Sequence, residues 1–169
     1  KKEFKQTEIV GRGDGPSLGK DQRIDRSIRR AEELVLSRES PSLSNVHWHN
    51  LLFSTFQKGI LKYEKDSGYV DQAIQCMTHI GVLKYEQTGF YNLHIDHCLA
   101  HPRILSFIYL LNNDYQGGEL TFYFPKEDKQ WPIDIRPNRL IIWPSAFMFP
   151  HGVKPVTKGV RYTAIGWAS

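Results

Sequence analysis

The sequence is poor in cysteine and contains no long apolar run. Its 169 residues include 2 cysteines, Cys76 and Cys98, and neither belongs to a Cys-x-x-Cys pair. This pattern excludes a disulfide framework and favours two reduced, buried side chains in a reducing compartment. No apolar run approaches the roughly 20 residues needed to cross a bilayer, and no secretory signal is visible. We therefore expect no membrane association and a cytoplasmic location, while leaving open that a targeting segment precedes Lys1.

The chain also has only a small excess of positive charge. The chain has 22 lysines and arginines against 18 acidic residues, giving a net charge of +4. The clearest basic cluster is interleaved with acidic side chains, which is typical of a solvated surface rather than of a nucleic-acid groove. Nucleic acid is therefore an unlikely partner, and the sequence leaves the oligomeric state open. A chain of 169 residues is long enough for one domain, so we predict a single domain over 1–169.

The front of the chain, residues 1–71, is predicted to be a mostly helical support region. Apolar residues recur at helical spacing from Val46 to about Lys65, which predicts an amphipathic helix. Residues 20–38 are ambiguous, because their charge pattern permits a helix while Glu33–Ser37 could be a strand. The glycine-rich stretch 11–19 matches no phosphate-binding pattern and is expected to be a flexible connection.

From residue 72 to residue 169 the pattern changes to short apolar or alternating runs separated by turn residues. Such a pattern is typical of an all-β sandwich or barrel. We therefore expect a mainly β, α+β fold with N-terminal helices packed on a β core. The predicted strands are 72–86, 90–95, 103–111, 119–124, 139–143, 148–153 and 160–167.

The residues with the clearest chemical meaning are His94 and Asp96. Residues i and i+2 of a strand face the same way, so this pair could present an imidazole and a carboxylate to one point. A second histidine from a distant strand would complete a 2-His-1-carboxylate set, which leaves positions open on a non-haem iron. His151, after a long β-rich interval, is the candidate.

At this point the sequence resembles the prolyl 4-hydroxylase branch of the Fe(II)/2-oxoglutarate dioxygenase superfamily. The resemblance covers residues 72–168. Its motifs are the His-x-Asp pair, a Gly-Gly-Glu strand at 117–122, the Trp143-Pro144-Ser145 turn, and the segment from His151 to Thr163 with its Gly159, Arg161 and Tyr162. The chain departs from the pattern at Asn138, where many relatives have glycine, and asparagine tolerates the left-handed backbone needed there.

The resemblance implies a double-stranded β-helix, a jelly-roll or cupin-like core, with iron at one mouth. It implies that His94, Asp96 and His151 are the metal ligands and catalytic residues. It also implies that Arg161 binds the distal carboxylate of 2-oxoglutarate, since a guanidinium pairs with a carboxylate through two parallel hydrogen bonds. Thr163, two residues along the same strand, could add a hydroxyl donor, and Tyr85 and Tyr91 are further candidates for binding the co-substrate.

The implied activity is hydroxylation of an unactivated C–H bond with release of succinate and CO2. The implied cofactors are Fe(II), 2-oxoglutarate and O2, with ascorbate as a candidate reductant. A protein or peptide substrate, with a peptidyl proline as the target, is the first expectation, and a small-molecule substrate is the second. Two alternatives stay open: the same chemistry on a nucleic-acid base, and a metal-binding β-barrel module without catalysis. The second alternative would keep the ligands but would not need Arg161 and Thr163.

Overall fold

The structure is a computed structural model that describes residues 5–6, 26–68, 77–97, 99 and 102–169. The predicted connection at 11–19 and both cysteines lie outside these residues. The elements in chain order are β1 (Lys5–Gln6), β2 (Arg29–Arg30), β3 (Glu32–Val35), α1 (Leu43–Ser67), β4 (Met77–Tyr85), β5 (Phe90–His94), β6 (Leu105–Leu110), β7 (Gln116–Gly117), β8 (Leu120–Phe124), β9 (Lys129–Pro132), β10 (Leu140–Pro144), β11 (His151–Val153), β12 (Val156–Lys158) and β13 (Arg161–Ala168).

Two antiparallel sheets form the body of the molecule. The major sheet has the order β1-β3-β4-β13-β6-β10, and the minor sheet has the order β2-β5-β11-β8-β9. A short pair, β12-β7, lies apart from them. Side chains of both sheets meet in one buried cluster, in which Leu83, Ile108 and Ile165 of the major sheet join Phe122 and Val153 of the minor sheet. This arrangement agrees with the predicted mainly β fold built around two facing sheets.

The other face of the major sheet is covered by α1. Ser42 caps the helix by accepting a hydrogen bond from the Asn45 amide, and Gly68 ends it in the left-handed conformation at a φ of 68°. Leu52, Phe56 and Ile60 are buried against the sheet. The helix predicted over 46–65 is confirmed, and it is the one helix among the residues that the structure describes.

The front of the chain also supplies strands, which corrects the helical alternative for residues 20–38. Strand β3 pairs with β4, with Leu34 opposite Val82, and β2 pairs with β5, with Arg30 opposite Phe90. The charge pattern allowed a helix, but pairing with the open edges of two sheets decides the conformation, because strand propensity depends strongly on context. In the described residues this segment therefore adds one strand to each sheet, and the N-terminal helical part of the predicted fold is the single helix α1.

Candidate active site

Three side chains meet at one end of the minor sheet. His94 ends β5 and His151 begins β11, and these two residues are direct partners in the antiparallel pairing. Asp96 lies in the bend after β5, so it reaches the site from beyond the strand rather than from the strand face that the sequence suggested. His94 Nε2 is 3.5 Å from Asp96 Oδ1, and His151 Nε2 is 3.4 Å from Asp96 Oδ2. All potential ligand atoms lie within 4.8 Å of one another.

Both histidines are oriented in the same way by the backbone. Nδ1 of His94 is 2.9 Å from the carbonyl oxygen of Asn92, and Nδ1 of His151 is 3.0 Å from that of Phe149. A carbonyl only accepts, so Nδ1 carries the proton in each ring and Nε2 keeps a free lone pair. A second hydrogen bond of this kind commonly orients a metal-binding imidazole. The two Nε2 atoms therefore face the site as ligands.

The electrostatics of the site favour the ligand forms of these groups. Burial lowers the pKa of His151 to about 4, although the nearby Asp96 carboxylate raises it, so the ring is neutral at neutral pH. Burial opposes ionisation of Asp96, but contacts with His94 and His151 and a hydrogen bond from Ser106 hold its pKa well below the usual range. A neutral imidazole and an ionised carboxylate are the forms that bind a metal.

A second group of buried residues surrounds the Arg161 guanidinium and forms a candidate anion site. Arg161 is 1% exposed and lies opposite Tyr85 on the neighbouring strand, with its guanidinium carbon 5.0 Å from the Tyr85 ring centre. Its Nη1 donates to the Thr163 hydroxyl at 3.2 Å. Its Nε and Nη2 are buried without a hydrogen-bond partner in the described part of the chain. A buried cation with two unused donors is costly, so this pocket fits a carboxylate.

The Gly117-Gly118 turn borders the same pocket. Gly118 has a φ of 68°, and a Cβ atom there would lie 3.0 Å from Cδ of Arg161 and 3.4 Å from the Tyr115 ring. The Tyr115 hydroxyl is buried without a partner among the described residues. Burial raises the Tyr115 pKa while the nearby Arg161 lowers it, which places the phenol beside the guanidinium. Tyr115 is a pocket residue that the sequence analysis missed.

Tyr91 lies on the metal side of the site. Its ring stacks on the His94 ring with 3.6 Å between centres, and the Arg29 guanidinium lies 4.7 Å from its ring centre. Burial raises the Tyr91 pKa, although Arg29 opposes the change, so the phenol stays protonated at neutral pH. Of the two tyrosines predicted to bind the co-substrate, Tyr85 contacts Arg161, whereas Tyr91 contacts a histidine.

Several residues at the site were not recognised from sequence. Trp143 is buried with its ring edge-on to His151, 4.8 Å between centres, and Phe122 packs against both. Arg103 donates from Nη1 to the Asp96 carbonyl oxygen and stacks on the Trp167 ring at 3.8 Å. Ser106 was detectable, because it interrupts the apolar run of β6. The aromatic neighbours gave no signal that distinguishes them from ordinary core residues.

A model of the 2OG-Fe(II) oxygenase superfamily matches residues 80–169, more than half of the chain. The chain belongs to this superfamily. Membership confirms the predicted superfamily, and the His-Asp-His cluster in the structure supports its cofactors, Fe(II), 2-oxoglutarate and O2.

Curated relatives match a short part of the chain. A PKHD-type hydroxylase of Gloeothece citriformis is 38% identical over 65 residues, which is 37% of this chain and 28% of the relative. One of Prochlorococcus marinus is 40% identical over 65 residues, with the same coverage. The chain thus matches less than a third of the length of these relatives.

Solved structures share the fold. A prolyl hydroxylase from Trichoplax adhaerens, in complex with a peptide fragment of the hypoxia inducible factor oxygen degradation domain, matches with a TM-score of 0.73 at 20% identity. That match covers 99% of this chain and 70% of the other. A Pseudomonas putida prolyl-4-hydroxylase matches with a TM-score of 0.68 at 18% identity, covering 87% and 73%. These similarities support the double-stranded β-helix architecture.

The helix α1 is not apolar enough to cross a membrane, and it is the one helix in the described residues.

Proposed function

We propose that this chain is an Fe(II)- and 2-oxoglutarate-dependent dioxygenase that hydroxylates an unactivated C–H bond and releases succinate and CO2. His94, Asp96 and His151 bind the iron in this proposal, and the metal supplies the oxidising chemistry once O2 and 2-oxoglutarate are present. The observation that carries the proposal is the cluster of three ligand atoms within 4.8 Å in the same chain as a buried, unpaired Arg161. A metal-binding module without a co-substrate would not need the buried, unpaired Arg161.

Arg161 and Thr163 bind the distal carboxylate of 2-oxoglutarate. Arg161 offers two free donors, and the Thr163 hydroxyl, which accepts from Arg161, keeps its own proton to donate. Tyr85 lies against the same guanidinium and closes one side of the pocket. Arg161 and Thr163 belong to the major sheet, whereas the metal ligands belong to the minor sheet or follow it, so a co-substrate that reaches both would lie between the two sheets.

The substrate we propose is a peptidyl proline. Phe122, Phe124, Glu127, Trp131 and Ile133 line a largely apolar cavity of about 320 Å³. Phe122 connects this cavity to the site, because it packs against His151. Trp131 is 54% exposed on β9, the edge strand of the minor sheet, where an extended peptide has access. Aromatic-lined grooves suit proline-containing segments, and two of the solved relatives are prolyl hydroxylases.

The experiment is succinate release by the anaerobically Fe(II)-loaded protein after addition of O2, with and without proline-containing peptides. We expect turnover that requires iron, increases with a peptide and is lost in His151→Ala. Arg161→Ala should raise the 2-oxoglutarate concentration needed for half-maximal turnover by at least 10-fold, since a hydrogen bond to a charged group contributes about 1.5–3 kcal/mol. The control is His97→Ala, because this exposed histidine is next to Asp96 but bonds the Arg103 carbonyl instead.

The outcomes separate the parts of the proposal. Tight iron binding with no 2-oxoglutarate consumption under any condition would favour the non-catalytic module. Consumption of 2-oxoglutarate that no proline-containing peptide stimulates would keep the oxygenase and remove the prolyl substrate. Unchanged activity in His151→Ala would contradict the ligand assignment.

A further inference from the structure

Two serines at the metal centre are buried where hydroxyl groups are costly. Ser106 and Ser145 are each 1% exposed. Ser106 lies in β6 among apolar residues, opposite Trp143 on one neighbouring strand and Trp167 on the other. Ser145 directly follows Trp143 and Pro144, the last two residues of β10. A hydroxyl buried among apolar side chains destabilises the fold unless it is hydrogen-bonded, so these positions call for a specific explanation.

The directions of the hydrogen bonds follow from the number of protons. Ser106 Oγ donates to Asp96 Oδ2 at 2.7 Å and is 2.7 Å from Ser145 Oγ. A serine hydroxyl has one proton. Because Ser106 gives its proton to the carboxylate, Ser145 must donate to Ser106. The two hydroxyls therefore form a chain that ends on a charged acceptor, and each bond strengthens the other.

The backbone fixes the outer end of this chain. The Ser145 amide donates to the Ile104 carbonyl at 2.9 Å, and the Ser145 carbonyl accepts from the His97 amide at 3.1 Å. The turn after β10 is thus tied to the entry of β6 and to the residue that follows Asp96. Neither serine can leave its place without breaking these bonds.

The carboxylate of Asp96 is consequently held by one of its two oxygens. Ser106 binds Oδ2, which is also 3.4 Å from Nε2 of His151, and Oδ1 is 3.5 Å from Nε2 of His94. Arg103 also touches Asp96, but it binds the main-chain carbonyl and not the carboxylate. Without the serine bond, the carboxylate is free to rotate away from the two histidines.

We propose that Ser145 and Ser106 form a hydroxyl relay that fixes the orientation of the Asp96 carboxylate towards the metal site. This inference rests on the proposed function, because it requires Asp96 to be a metal ligand. The two serines are positioning residues: they act through Asp96 and touch neither metal nor substrate. The relay also gives Ser145, at the end of β10, a purpose beyond ending a strand.

The test uses Co(II) as a spectroscopic substitute for Fe(II) in Ser106→Ala, Ser145→Ala, the double variant and Ser106→Thr. We expect Ser106→Ala to weaken Co(II) binding by about 10- to 100-fold, the usual effect of removing a group that orients a ligand. Its visible absorption spectrum should change because the carboxylate loses its fixed orientation. Ser145→Ala should weaken binding less, because Ser106 still donates. Ser106→Thr keeps a hydroxyl and should restore both affinity and spectrum.

The double variant distinguishes a relay from two independent structural roles. In a relay, Ser145→Ala has no further effect on Co(II) affinity once Ser106 is alanine, because the bond it supports is gone. Thr121→Ala is the matched control: this buried hydroxyl bonds the Gly152 carbonyl, and its loss should leave the spectrum unchanged. Wild-type affinity and spectrum in Ser106→Ala would overturn the relay alone. Failure of the unaltered protein to bind Co(II) would overturn the metal site and the relay with it.

Discussion

The two histidines of the candidate metal site lie in different surroundings. His151 is packed between Trp143 and Phe122, and this burial lowers its pKa to about 4 from an ordinary 6.5. His94 is half-buried and stacks on Tyr91. Both rings keep Nε2 unprotonated through the Nδ1 contact with a carbonyl. The His151 ring is therefore neutral, as metal binding requires, well below neutral pH. The cost is a lower stability of the metal-free protein at acidic pH.

That cost gives a prediction for the metal-free protein. Above pH 6.5, His151 is neutral in both the folded and the unfolded chain and has no effect on stability. As pH falls from 6.5 towards 4, His151 binds a proton in the unfolded chain but not in the folded chain. The free energy of unfolding therefore decreases. Between pH 7.5 and pH 4.5 the loss should be about 2 to 3 kcal/mol. Urea unfolding in the presence of a chelator measures it.

The variant His151→Gln isolates this contribution. Glutamine cannot protonate, so the variant should lose about 2 to 3 kcal/mol less than the wild type across the same pH interval. The lowered pKa of Asp96 acts in the same direction but only below about pH 4, outside the interval. Equal slopes in the wild type and His151→Gln would show that His151 titrates normally.

The sequence identified residues whose chemistry is rare and missed those whose chemistry is common. His94, Asp96 and His151 could be predicted because the spacing of a His-x-Asp pair and a distant histidine has few other uses, and the structure brings all three together. Ser106 and Ser145 could not be assigned a role, since serine occurs everywhere and their meaning depends on a contact between residues 39 positions apart. Asn138 was anticipated as a left-handed residue, and its φ is 61°.

Among the elements, the turn between β7 and β8 lies against Arg161, the residue proposed to bind the co-substrate. Gly118→Ala should weaken 2-oxoglutarate binding, because the new Cβ would lie 3.0 Å from Cδ of Arg161 and displace the guanidinium. The backbone strain at a φ of 68° adds a loss of stability of about 1 kcal/mol. We expect a decrease in 2-oxoglutarate affinity of at least 10-fold, measured by titration of the Mn(II)-loaded protein.

Gly68 provides a control with the same backbone strain. It also has a φ of 68°, but a Cβ atom there meets no atom within 4 Å. Gly68→Ala should therefore lose a similar amount of stability while binding 2-oxoglutarate as the wild type does. If both variants bind it equally well, Gly118 serves the turn alone and does not shape the pocket.

Element prediction worked where a periodic pattern was long and failed where pairing decided the outcome. The 25-residue helix α1 was clear from its apolar spacing, although its ends, set by Ser42 and Gly68, lie a few residues outside the predicted range. Strand β3 has four residues, too few for a period to show, and its conformation comes from pairing with β4. Strands β7, β9 and β12 are shorter than five residues and were missed for the same reason.

At the scale of the whole molecule, the site joins two sheets that otherwise meet through apolar packing. Two metal ligands belong to β5 and β11 of the minor sheet, whereas Arg161 and Thr163 belong to β13 of the major sheet. Asp96 is bonded to Ser106 of β6, again in the major sheet. A ligand that contacts both the metal and Arg161 would therefore bridge the sheets, and its binding energy should appear as stability of the entire fold.

This bridging predicts that the melting temperature rises in two steps, first with metal and then with 2-oxoglutarate. Mn(II) at 100 times its dissociation constant should stabilise the protein by about 2.7 kcal/mol, which corresponds to roughly 5 to 10 °C for a domain of this size. 2-Oxoglutarate should add a further increase only when metal is present, because a chelating ligand needs both ends of its site. Arg161→Ala should keep the metal increment and lose the 2-oxoglutarate increment, while His151→Ala should lose both. A 2-oxoglutarate increment that survives in metal-free protein would mean that Arg161 and its pocket bind the co-substrate independently of the metal, and the two sheets would then not be bridged through it.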